Sequence, residues 1–211
     1  MSPARARQSA PHTILPADIS NIIELNAQTG SRADWRRLFH RNAPLDIDIG
    51  CGKGRFLLAR AALHPERLIL GIERQMVRLR QIDRRLHLAQ RDNARLLHGE
   101  AAGLLDQCAE SSVDNLFVFF PDPWPKRRHH KRRLMGEAFA LTAARVLSAN
   151  GQLHFATDHK DYFDEALPVF DTHRLFRRVE PFVPTEEEQT DFELIFAGKG
   201  CTINRASWQI A

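Results

Sequence analysis

Asp122 stands in the run Phe119-Phe120-Pro121-Asp122-Pro123-Trp124-Pro125-Lys126. A carboxylate clamped between two prolines has little conformational freedom, because each pyrrolidine ring fixes its own φ and restricts the residue before it. The apolar run just ahead of it, Val113 to Phe120, reads as a buried central strand. Asp122 then lies at the carboxyl edge of a sheet, where ligands bind in open α/β folds. Trp124 offers a flat face on which an unstacked base could lie. Lys126 opens an octet, Lys-Arg-Arg-His-His-Lys-Arg-Arg, that ends at Arg133 and holds six of the thirty Lys and Arg. Without it the chain carries 24 cations against 26 anions, so the net charge of +4 is substantially local. Local basicity points to a polyanion at one place, and Arg128, His129, His130, Lys131, Arg132 and Arg133 are candidates for phosphate contacts, which give affinity and register. Adjacent histidines can suggest a metal, but among arginines they repel a cation, and no metal site is expected. Each part has a plain alternative (proline punctuation, a packed tryptophan, a charged helix start), which does not account for all of them within thirteen residues.

A second constellation lies upstream. The strand Leu45 to Ile49 contains Asp48 and runs into Gly50-Cys51-Gly52-Lys53-Gly54, and the next strand ends in Gly71-Ile72-Glu73, an acid 19 residues after Gly54. Glycines at such a turn let the backbone approach a ligand closely, and an acid at the second strand's tip is where this fold grips a ribose diol. The dinucleotide fingerprint would place its third glycine one residue later and set a helix N-terminus against a pyrophosphate. Asp48 would repel a pyrophosphate and suits the cationic methionine end of S-adenosylmethionine, so a methyltransferase is favoured over a nicotinamide dehydrogenase. A tight turn alone would explain the glycines but not Asp48 and Glu73 together. Gly99-Glu100-Ala101 follows a third, weak strand, and an acid there lies beside the adenine in class I methyltransferases; by itself an exposed Glu at a strand end is usually solvated.

Around these residues short β-rich runs alternate with longer helical ones, the pattern of a parallel sheet with crossover helices. Expected strands are Leu45–Ile49, Leu68–Ile72, Arg95–His98, Val113–Phe120 and Leu153–Thr157, with a last pair over Leu175–Val179 and Thr202–Trp208. Expected helices are Gly54–Leu63, Gln75 to about Arg91, Arg133–Leu147 and Asp161–Phe170. The expectation is one α/β domain over residues 31–211: a Rossmann-like, seven-stranded, mostly parallel sheet with helices on both faces and an antiparallel C-terminal strand. Residues 1–30 read as a basic flexible tail. Arg74, Arg78, Arg80, Arg84 and Arg85 fall along the second helix and read as a solvated face.

Several classes are disfavoured. No window approaches eighteen uninterrupted apolar residues, so no transmembrane helix is expected, and the N-terminus lacks the apolar stretch of a secretory signal. Cys51, Cys108 and Cys201 are far apart and odd in number, which argues against a disulfide framework or a zinc site and suits a reducing cytoplasm.

The segment Pro-Asp-Pro-Trp-Pro-Lys-Arg-Arg-His-His-Lys-Arg-Arg-Leu from Pro121 closely resembles the signature loop of the bacterial tRNA (guanine-N7)-methyltransferase family, which modifies the variable-loop guanine at conventional position 46. The resemblance runs from about Leu45 to Trp208 and takes in Gly71-Ile72-Glu73, Ala156-Thr157-Asp158, Thr190-Asp191-Phe192-Glu193 and Lys199-Gly200. It implies a class I fold, S-adenosylmethionine as cofactor, and tRNA as substrate. By position it implies that Asp48, Glu73, Glu100 and Asp122 contact the cofactor, with Gly50, Gly52, Gly54 and Ala101 beside them, and that Asp122 is also catalytic. Lys126, Asp158, Thr190, Phe192 and Glu193 match substrate-binding positions, and Arg128 to Arg133 a tRNA-contacting stretch. Three positions depart from the pattern: Asp48 is usually Glu, Glu100 usually Asp, and Phe192 often Tyr. Thr190–Glu193 and Thr185–Glu188 each also fit a capping box, and Thr157-Asp158 a helix N-cap. Alternatives are a methyltransferase for exocyclic amines, whose Asn/Asp-Pro-Pro-aromatic motif Asp122-Pro123-Trp124 loosely resembles, and a catalytically idle RNA-binding subunit. A monomer or a homodimer is equally compatible.

Overall fold

The structure is a computed structural model and describes residues 20–25 and 32–211. Its strands are β1 (Ile22–Ile23), β2 (Leu45–Ile49), β3 (Leu68–Glu73), β4 (Ala94–His98), β5 (Val113–Phe119), β6 (Leu147–Thr157), β7 (Phe176–Val179) and β8 (Asn204–Ile210). The helices are α1 (Arg55–Leu63), α2 (Met76–Leu88), α3 (Ala101–Leu105), α4 (Glu137–Val146), α5 (Lys160–Asp171) and α6 (Asp191–Gly198), with 3-10 turns at Trp35–Phe39 and Arg127–Arg132. One sheet holds all the strands, in the order β1-β4-β3-β2-β5-β6-β8-β7. Neighbours from β1 to β6 are parallel, and β8 is antiparallel to both β6 and β7.

Among the described residues the sheet therefore has eight strands where seven are expected. The extra one, β1, pairs Ile22 with Leu96 and Ile23 with Leu97, inside the stretch that reads as tail. Two residues are too short for a periodic signal, and the pairing is secured by Asp83 of α2, which accepts from the Asn21 backbone and side-chain amides, both at 2.9 Å. The remainder of the expected tail lies outside the described residues. The helix expected over Arg133–Leu147 begins only at Glu137, after the 3-10 turn, and β6 begins at Leu147, six residues before the expected Leu153.

The central strands are buried on both faces: β3 is apolar up to Glu73, and in β2 Asp46 and Asp48 are buried with the apolar residues between which they alternate. One core layer packs Trp35, Phe39, Phe139, Phe155 and Trp208 against the sheet; the other is formed by Leu57, Leu79, Ile82 and Leu86 of α1 and α2. Gly71 permits the second: a Cβ there would lie 2.3 Å from Leu57 Cδ1. Asp46, buried in β2, is neutralised by Arg60, whose Nε lies at 2.7 Å, and Arg67, whose Nε lies at 2.8 Å, and accepts a further hydrogen bond from Asn115 Nδ2 at 2.7 Å. Arg60 also donates to Glu188 at 2.8 Å, tying the segment ahead of α6 to the sheet. A buried charge would be very costly without such partners. From β2 the chain fills the sheet outward through β3 and β4, then crosses to β5 on the other side, so a crevice opens beyond the carboxyl ends of β2, β3 and β5.

Candidate active site

That crevice is a cavity of about 460 Å³. Gly50 and Gly52 form its floor, Glu73, Arg74 and Arg78 the β3 wall, Glu100 and Ala101 the β4 wall, and Asp122, Trp124 and Arg132 the β5 wall. A smaller cavity of about 130 Å³ adjoins it, sharing Gly50, Gly52, Arg78, Phe119 and Phe192 and adding Asp48, Gly54 and Thr190.

The glycine loop is shaped by its backbone. Gly50, Gly52 and Gly54 all have positive φ, at 73°, 57° and 76°, a region costly for residues with a Cβ. The turn is pinned to β3 by Gly50 N donating to Ile72 O at 2.8 Å, and Gly52 N donates to Glu73 Oε2 at 3.2 Å. Glu73, itself buried, also accepts from Gln75 N at 2.9 Å and from Arg78 at 3.3 Å. Asp48 points into the smaller cavity. Burial, reinforced by the nearby charge of Glu73, pushes its carboxyl up to about 7. Among the described residues no side chain donates a hydrogen bond to it. A buried, unpartnered carboxylate beside a second one fits a cationic group, and Glu73 at the strand tip fits a diol. The residues present therefore fit S-adenosylmethionine: its amino end at Asp48, its ribose at Glu73, its adenine beside Glu100 and Ala101.

Asp122 is well exposed at the opposite wall, 3.5 Å from Arg74 across the cleft. Its loop is bent by two aromatic residues in the left-handed region, Phe120 (φ 51°) and Trp124 (φ 43°), a strain that tends to collect at functional sites. Phe120 is held by Phe192 and Phe196 of α6, with ring centroids 5.8 and 5.7 Å away. Trp124 lies under Arg132, 4.8 Å from guanidinium to ring centre.

The basic octet divides. Lys126, Arg127, Arg128, Lys131 and Arg132 are exposed, His129 and His130 half-buried. Arg133 is turned inward: it donates to Pro123 O at 2.8 Å, pairs with Asp161 at 2.9 Å and with Glu165, and stacks on Tyr162. Its guanidinium fastens the Pro121–Pro125 loop to α5. His130 pairs with the same Glu165 at 3.0 Å.

The late segment also divides. Thr190 and Phe192 line the cavities. Glu193 is buried and makes a capping box with Thr190, accepting from Thr190 N at 2.7 Å while Thr190 Oγ1 accepts from Glu193 N at 3.0 Å; it also binds Arg205 at 2.5 Å. Thr185 and Glu188 are bonded in the same manner. Asp158 is half-buried beyond the tip of β6 and, like Lys126, lines neither cavity. The N-cap of α5 is His159 rather than Thr157 or Asp158: its ring accepts from Tyr162 N, while Thr157 Oγ1 accepts from His159 N at 3.1 Å. Arg74, Arg78, Phe119 and Phe120 also line the cleft; Arg74, Phe119 and Phe120 stand at strand tips, which could have marked them, whereas Arg78 is in the first turn of α2 and carries no such signal. Among the described residues no cluster of three or more His, Cys, Asp or Glu is arranged to hold a metal, and no helix is long and apolar enough to cross a membrane.

Residues 42–197 match the model of a family described as "Putative methyltransferase". The tRNA (guanine-N(7)-)-methyltransferases of Halalkalibacterium halodurans and Enterococcus faecalis are 37% and 35% identical to this chain, over 84% and 81% of it and 83% and 82% of their own lengths. Among solved structures, the 16S rRNA methyltransferase KamB superposes with a TM-score of 0.66 at 16% identity, covering 92% of this chain and all of its own, a likeness of fold. With the glycine loop, the paired acids and the bent Pro-Asp-Pro turn around one cleft, these similarities place the chain in the tRNA (guanine-N(7)-)-methyltransferase family.

Proposed function

We propose that this chain methylates N7 of a guanine in tRNA, using S-adenosylmethionine, and that the target is the variable-loop guanine. The observation that carries the reading is the single cleft in which Glu73 and the glycine loop face Asp122 and Trp124. When bound, the cofactor supplies an electrophilic methyl group on a sulfonium. Guanine N7 presents its lone pair in the plane of the base, so the protein has no proton to remove, and its task is alignment, worth several kcal/mol of a barrier. Asp48 holds the cofactor's ammonium and Glu73 its diol. Asp122 orients the guanine and stabilises the positive charge that grows on the purine, with Trp124 as a stacking face. Thr190 and Phe192 contact the nucleoside from the α6 side. Lys126, Asp158 and the exposed cations from Arg127 to Arg132 meet the RNA outside the cleft. The enzyme works in the cytoplasm, and one protomer contains the whole cleft.

The test is mass spectrometry of nucleosides from unmodified tRNA incubated with protein and S-adenosylmethionine. 7-Methylguanosine is the expected product; methyladenosine would assign the chain to the exocyclic-amine class. Asp122→Ala should lower turnover by roughly two to three orders of magnitude, the scale of a lost transition-state contact. Near-normal turnover would refute the role given to Asp122.

A further inference from the structure

Helix α2 is charged in a way that its own stability does not explain. Arg78, Arg80, Arg84 and Arg85 lie on it and Arg74 just before it, against one acid, Asp83. Asp83 is turned away, taken up by Ser20, Asn21 and His87. The first turn holds no acid, and the N-cap residue Gln75 makes no capping bond. Cations near a helix N-terminus oppose the macrodipole, and like charges four apart, as in Arg74–Arg78 and Arg80–Arg84, repel. A helix face that is merely solvated mixes signs, and this one does not.

Location adds the second half of the argument. Arg74 and Arg78 line the β3 wall of the cleft, facing Trp124 and Arg132 on the β5 wall. Arg85 donates to Lys53 O in the glycine loop at 3.1 Å. Arg80 and Arg84 are exposed and have no salt bridge among the described residues. Cations thus flank the cleft on both sides, although the sequence run 126–133 marks one side alone.

We infer that the exposed, arginine-bearing side of α2, running from Arg74 and Arg78 at the cleft round to Arg80 and Arg84 on its outward side, is a second contact surface for the phosphodiester backbone of the RNA substrate. It rests on the tRNA reading above and extends it: the polyanion is held from both lips of the cleft. Arg74 can then exchange its loose pairing with Asp122 for a phosphate as the nucleoside enters, leaving that carboxylate to the base.

The experiment uses the full-length chain and an unmodified tRNA transcript, with equilibrium binding followed by fluorescence anisotropy over a series of salt concentrations. Arg80→Gln/Arg84→Gln should weaken binding on the order of tenfold near 0.1 M salt and reduce the slope of log K against log salt by about 1 to 2. Arg80→Lys/Arg84→Lys should restore most of the affinity, since phosphate is read here as charge. The Gln variant's Tm should equal or exceed the wild type's, because helix repulsion is relieved, and its affinity for S-adenosylmethionine by calorimetry should be unchanged. Unaltered affinity and salt slope in the Gln variant would overturn the inference and return α2 to a solvated face or to an acidic protein partner. Product analysis of the wild type is read separately. If 7-methylguanosine forms while the variant binds normally, the inference alone fails. If it does not form but the variant binds more weakly, the reaction assignment alone fails.

Discussion

Asp48 should make cofactor binding depend on pH in a way that can be attributed to one proton. Its carboxyl is raised from 3.8 to about 7 by burial and by the charge of Glu73. In the free protein the group is therefore neutral below about pH 7 and ionised above it. A cationic amine binds the ionised form, so below that pH binding must first expel the proton. Affinity for S-adenosylmethionine should fall by up to about tenfold per pH unit below 7, or about 25-fold between pH 7.5 and 5.5. Calorimetry in buffers of different ionisation heat should show close to one proton released near pH 5.5 and a smaller fraction at pH 7.5. Asp48→Asn should weaken binding at pH 7.5 and remove the slope. The same shift has a stability consequence of opposite sense. A carboxyl raised on folding disfavours the folded state as pH climbs from 3.8 to about 7, by up to about 4 kcal/mol. Asp48→Asn should accordingly stabilise the cofactor-free protein at pH 8. A flat affinity profile between pH 5.5 and 7.5, or a slope that survives Asp48→Asn, would refute the assignment of the cofactor's amino end to this carboxylate.

Two further substitutions separate scaffold from surface. Arg133→Ala removes the links to Pro123 O, Asp161 and Glu165 and should lower both Tm, by several degrees, and turnover, whereas Arg128→Ala should raise KM for tRNA with Tm unchanged; equal behaviour in thermal melts would refute the division of the octet. Gly54→Ala would place a Cβ 2.6 Å from Ile82 Cγ1 at a φ of 76° and should cost about 2–4 kcal/mol, measured by denaturant unfolding; a loss below about 1 kcal/mol would show that α2 yields readily.

The parts most legible in the sequence were those governed by local periodicity. β3 is apolar up to Glu73, β5 ends in the apolar run Leu116–Phe119, β2 alternates Asp with apolar residues, and the ends of β2 and β3 carry Asp48 and Glu73 as their positions imply. What escaped depends on partners distant in the chain. β1 is two residues long and exists because β4 and Asp83 receive it. The octet has uniform charge and no period, so nothing in it shows that the 3-10 turn sends Arg133 inward while its neighbours stay outside. Thr190 and Glu193 fitted both a capping box and a substrate contact; the box is made, Thr190 also reaches the smaller cavity, and Glu193 is consumed by the cap and by Arg205. Arg74 and the arginines of α2 read as ordinary solvated charge until the fold set Arg74 and Arg78 in the wall of the cleft.

The left-handed turns at Phe120 and Trp124 bear on the timing of events during turnover. Each such residue costs about 1–3 kcal/mol, and the chain meets that cost once, as the aromatic packing of α6 and the grip of Arg133 form on folding. In the role proposed for Asp122, the loop that carries it is thus shaped before any nucleic acid arrives. On that proposal, the free energy of encounter goes to opening the RNA rather than to ordering this loop.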